Sequence, residues 1–147
     1  MFRRPARLAL AASAAALLST TVLTSSAQAK DGDPWKCSHG SSASATDAGG
    51  RDSYVTHVDP DNGDRVGMNF TANGEKLTQW NDSDDTADYY AKFYKGNSID
   101  LTWHWNLEPK MADYTYNFER PEGQRVQLET KLFQPSKGGC IDNGGVA

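Results

Sequence analysis

The chain has 147 residues, 15 of them Lys or Arg against 19 Asp or Glu, and a formal net charge of −4. Past the first few residues its cations are scattered singly. That pattern argues against a nucleic-acid partner, whose affinity rests on clustered Lys and Arg, and the acidic balance discourages docking on anionic lipid.

Residues 1–29 read as a cleaved signal peptide. Arg3, Arg4 and Arg7 make a positive start, Leu8 to Leu23 is an apolar, Ala-rich run, and Ala27-Gln28-Ala29 has the small-x-small form of a signal peptidase site. The run is short and rich in Ser and Thr for a membrane span, and no basic stop-transfer cluster follows. Arg3-Arg4 raises the twin-arginine route, but Pro5-Ala6-Arg7 matches that signal poorly. The expectation is a secreted, extracellular protein starting at Lys30, with no stable membrane insertion after cleavage. Losing 29 of 147 residues leaves 118, the size of one domain. The segment takes three of the 15 basic residues and none of the 19 acidic ones, so the remainder carries a formal charge of −7.

Two cysteines stand alone near the ends, Cys37 and Cys140. In an oxidising compartment such a pair is most simply one disulfide, and neither Cys-x-x-Cys nor His/Cys ligand spacing is present. Residues 30–52, which carry Cys37, hold little that packs except Trp35; Ser38 to Gly50 lacks periodicity and is expected to be a flexible surface loop.

Residues 53–147 have a different texture. Short runs of Val, Ile, Thr and aromatics alternate with turn residues at Asp61 to Asp64, Ala72 to Glu75, Asn81 to Thr86, Gly96-Asn97, Glu108 to Lys110 and Pro121 to Gly123. This spacing predicts an all-β fold: an antiparallel meander of about seven strands, forming a small sandwich or up-and-down barrel with a C-terminal tail that carries Cys140. The plan is similar in architecture to small extracellular ligand-binding barrels.

Hairpin registers follow from asking which turn sets like faces opposite each other. A turn at Asn73-Gly74 places Phe70 across from Leu77, and Gly67 across from Trp80, whose indole then covers the bare glycine. Around Gly96-Asn97, a three-residue turn including Ser98 sets Phe93, Ala91 and Tyr89 opposite Leu101, Trp103 and Trp105, and keeps Lys92 in water. A turn at Pro109-Lys110 sets Trp105, Trp103 and Leu101 opposite Tyr114, Tyr116 and Phe118. A loop at Pro121-Glu122-Gly123 would then set Tyr116 and Phe118 opposite Leu128 and Val126. These pairs predict a core holding Trp103 and Trp105.

The opposite face is the candidate site. Tyr90, Tyr94, Thr102 and His104 gather there, and Trp80 is a further aromatic platform; rings with polar tips supply contact area at small entropic cost. The expected function is a non-catalytic extracellular binding module for a glycan or small ligand, or for a protein. Alternatives are a proteinaceous inhibitor presenting a loop such as Asn81 to Thr86, and a small extracellular hydrolase. For the last, His39, His57 and His104 are the only histidines, and no Gly-x-Ser-x-Gly elbow occurs. The oxygen-rich stretches Asp82 to Asp88 and Asp59 to Asp64 miss the helical calcium-loop template and read as solvated turns. No metal and no cofactor is expected.

Overall fold

The computed structural model describes residues 35–132 and 138–147. The signal peptide expected at residues 1–29 lies outside them. Nine strands follow in chain order: β1 Lys36–Ala43, β2 Arg51–Val58, β3 Arg65–Thr71, β4 Lys76–Asn81, β5 Ala87–Lys95, β6 Ser98–Leu107, β7 Met111–Asn117, β8 Arg125–Leu132 and β9 Cys140–Val146. They make one antiparallel sheet in the order β6-β5-β8-β9-β2-β3-β4-β7, with β1 paired to β2. The sheet curls into a half-barrel whose end strands, β6 and β7, meet through side chains, with no ladder between them among the described residues.

The fold is all-β as expected, with two strands more than the seven read from turn spacing. One is β9. The other is β1, which runs through the tract expected to be a flexible loop and pairs with β2 over eight residues, from Lys36↔Val58 to Ala43↔Arg51. Its Ser- and Gly-rich sequence shows no apolar alternation, and backbone pairing with β2 holds it. The Cys37–Cys140 disulfide fixes it to β9, Cα to Cα 5.4 Å across 103 positions of sequence.

Inside the curl, Val55, Val66, Met68, Phe70, Leu77, Tyr89, Ala91, Phe93, Leu107, Val126 and Leu128 are fully buried. Except for Leu107, which ends β6, they are the alternate residues of β2 to β5 and β8, as a half-buried strand requires. Phe70 and Phe93 meet edge to face at 6.2 Å.

Two expected hairpins form. Phe70 pairs with Leu77 and Gly67 with Trp80, and a Cβ on Gly67 would overlap the indole. Between β5 and β6, Phe93, Ala91 and Tyr89 pair with Leu101, Trp103 and Trp105. The tip is nevertheless a two-residue turn, Lys95↔Ser98, and a bulge between Phe93 and Tyr94 restores the longer-turn register.

Two others do not form. β7 pairs with β4, setting Leu77 against Tyr116 and Gln79 against Tyr114, and β8 pairs with β5 and β9. The groups nearest Pro109 are already taken: Asn81 Nδ2 donates to the Leu107 and Glu108 carbonyls at 3.2 and 3.1 Å, and the Lys110 amide donates to Ser83 O at 3.0 Å. The turn at Gly123 receives the C-terminus instead, its amide donating to Ala147 O at 2.7 Å.

Candidate functional site

The splayed β6 and β7 leave a seam filled by rings. Trp103 lies 5.1 Å from Tyr116 and 5.2 Å from Phe118, and Trp105 lies 6.2 Å from Tyr114 and 5.2 Å from Tyr116. The two indoles are parallel within 3°. These are the neighbours expected from the hairpin, brought together without its ladder.

They are not core. Trp105 is 36% and Tyr114 48% exposed, and Trp103, Tyr116 and Phe118 are half-buried. The correction follows from strand order: β6 and β7 are the two ends of the sheet, so their inward side chains have a neighbour on one side only. Of the six large hydrophobic residues most exposed among the described residues, Ile99, Trp105, Met111 and Tyr114 lie on these two strands.

Polar groups stand behind the rings. The Trp103 indole N–H and both polar atoms of the Gln79 amide are buried with no hydrogen-bond partner among the described residues. Each such group costs about 1–3 kcal/mol until a partner arrives. Gln79 is paired across the β4–β7 ladder with Tyr114, so its side chain shares the inner face with the rings. Burial, and then the neighbouring Tyr114 phenol, push the Tyr116 hydroxyl up to about 12.

The face picked out from sequence is the outer surface of β6, β5 and β8, and its groups satisfy one another. Tyr90 stacks on His104 at 4.4 Å and 3°, and His104 Nε2 meets Asp88 Oδ1 at 2.9 Å. Lys92 and Lys131 hold Glu129 at 3.0 and 2.9 Å and sit 5.9 and 5.0 Å from the Tyr90 centroid. Burial alone would raise the Glu129 carboxyl, but hydrogen bonds from Lys131 and Lys92 outweigh it and hold it below the usual glutamate value. Tyr94 donates to Gln127 Oε1 at 3.1 Å, with the Arg125 guanidinium 4.1 Å over its ring. Thr102 is exposed opposite Lys92. Trp80 lies on another surface, over Gly67.

The two acidic stretches converge on a cation of the chain itself. Lys110 Nζ reaches Asp64 at 3.3 Å and Asp84 at 3.5 Å, and donates to the Asp82 carbonyl at 2.6 Å. Loop 81–86 is tethered from within, Asn81 Oδ1 accepting from the Ser83 amide and hydroxyl at 3.0 and 2.7 Å. His39 approaches Asp142 at 3.4 Å beside the disulfide.

Comparison with protein-family models, curated proteins and solved structures finds no match.

Proposed function

We propose that this chain is a secreted, non-catalytic binding module for a glycan or small ligand, and that the ligand is taken at the β6/β7 seam. The disulfide fits an oxidising compartment. The observation carrying the reading is the combination at the seam: exposed faces of Trp105 and Tyr114 in front, and the unpartnered Trp103 N–H and Gln79 amide behind. A sugar has the complementary form, an apolar face for the ring and hydroxyls for the amide. The Tyr90, Tyr94, Thr102 and His104 face is the competing position, less favoured because its rings and charges already have partners in the chain.

Tryptophan fluorescence titrated with a series of soluble oligosaccharides tests this. Saturable quenching should vanish in Trp105→Ala/Tyr114→Ala and survive in Tyr90→Ala/Tyr94→Ala. The opposite result places the ligand on the outer face, and no saturable response in either protein rejects glycan binding.

A further inference from the structure

A second concave surface lies on the outer side of β1, β2 and β3 and shares no residue with the seam. It encloses about 260 Å3, lined by Gly40, Ser42, Asp52, Tyr54, Asn69 and Thr71 among others. Strand register explains the shape. Gly40, Tyr54 and Asn69 form one cross-strand row, continued by Thr78 and Thr115, whose hydroxyls lie 3.0 Å apart. Because Gly40 has no side chain, the Tyr54 ring lies down over β1; a Cβ there would sit 3.2 Å from Tyr54 Cε1 and 3.4 Å from its hydroxyl oxygen. The ring stays 38% exposed.

The chemistry of the lining is one-sided. Among the described residues Asp52 is its only charge, and with Oδ1 accepting from the Ala72 amide at 2.9 Å, the second carboxylate oxygen receives no hydrogen bond from them. Asn69 Oδ1 is buried with no hydrogen-bond partner among the described residues. Among the described residues no Lys, Arg or His lines the cavity, so an anion would meet only a carboxylate. Acceptors in want of donors, beside an exposed aromatic ring, suit a neutral ligand that carries several hydroxyl donors and one apolar face. The volume falls below the roughly 300–1,000 Å3 of pockets for drug-sized ligands, which limits the occupant to about one ring.

We infer that this cavity binds a single neutral polyhydroxylated ring, a pyranose unit, stacked on Tyr54 with its hydroxyls donating to Asp52 and Asn69. The inference does not rest on the seam, and either site stands without the other.

The test is protein-observed NMR on the disulfide-bonded protein, titrated separately with glucose, galactose, mannose and N-acetylglucosamine. At least one sugar should shift the amides around residues 40, 52–54 and 69–71 together with the Asn69 side-chain amide. Tyr54→Ala should weaken that sugar about tenfold or more, the worth of a ring contact plus its oriented hydroxyls, while Trp105→Ala leaves it unchanged. Gly40→Ala, which pushes the ring off its seat, gives a second variant should Tyr54→Ala fold poorly, and it should weaken binding in the same direction. No shift at these positions at concentrations on the order of 100 mM, or a shift that survives both variants, overturns the assignment. A response confined to β6 and β7 does so too, and leaves the seam reading intact.

Discussion

The curled sheet is closed in two different ways. On one side β1 is covalently tied to β9 by Cys37–Cys140, with His39 against Asp142 and Arg51 donating to Gly144 O and Ser41 Oγ nearby. On the other, β6 and β7 face each other across rings alone, with no ladder between them among the described residues. A covalent staple acts on the whole chain, because it removes entropy from the unfolded state. Packed rings at an open edge are a local arrangement, since β6 and β7 are laddered to β5 and β4 but not to each other among the described residues. One closure is thus covalent, and the other rests on ring packing.

The largest effect should come from the staple. It closes a loop of 103 positions, which on chain-entropy grounds stabilises the fold by about 4–5 kcal/mol. Cys37→Ser/Cys140→Ser should therefore lower the denaturation midpoint by the largest margin of any change considered, with β1 losing its hydrogen-exchange protection first. A midpoint within error of the parent would mean that β1 and β9 hold without it. Truncations sharpen the contrast. Phe93 is fully buried and meets Phe70 and Phe118, so Phe93→Ala should cost roughly 3–5 kcal/mol. Trp105→Ala, at an exposed edge, should cost about 1 kcal/mol, in the lower part of the range for point mutants. Equal losses in chemical denaturation would show the seam to be as much core as the interior.

What the sequence made legible was the sharing of faces. Alternation along 89–93, 101–105 and 114–118 correctly grouped Tyr89, Ala91 and Phe93 with Trp103 and Trp105, and those with Tyr114, Tyr116 and Phe118. Which strands exchange backbone bonds, and so which lie at an edge, is not encoded in alternation. The side chain that decides it here, Asn81, reads in sequence only as the start of a polar loop, and its bonds to the Leu107 and Glu108 carbonyls join residues 26 and 27 positions away. Hence the aromatic face was found and its exposure was not. The cavity beside Tyr54 had no signal at all, because β1, which forms one wall, is a Ser/Gly tract indistinguishable from a loop.

Gly67 tests the middle of the sheet, between the two closures. A Cβ there would overlap the Trp80 indole and approach the Val55 carbonyl to 2.7 Å. The indole can swing away but the backbone of β2 cannot follow without opening the β2–β3 ladder. Gly67→Ala should cost roughly 1–3 kcal/mol by overpacking, and a Trp80→Ala background should recover only part of it. Full recovery would show that the indole alone, and not the sheet behind it, sets the requirement for glycine.

The smallest expected effect lies beside the stapled margin and depends on pH. Glu129, on β8 next to the Thr130↔Cys140 pair, is held below its ordinary value of 4.5 because hydrogen bonds from Lys131 and Lys92 outweigh the burial that would raise it. A carboxyl depressed on folding binds fewer protons in the native than in the unfolded state as pH falls below that value. Its contribution is therefore complete above pH 4.5 and disappears as the pH falls through the folded value. Glu129 itself is buried, but both lysines reach water, and screening there keeps the contribution to about 1 kcal/mol or less. Glu129→Gln cannot ionise, so its melting temperature should lie slightly below the parent's at neutral pH and converge on it in acid. The tryptophans of the seam should report no change in emission at neutral pH. Parallel melting curves from neutral pH to acid would mean that the two lysines contribute nothing net, and altered tryptophan emission would mean that the two margins of the sheet are coupled rather than independent.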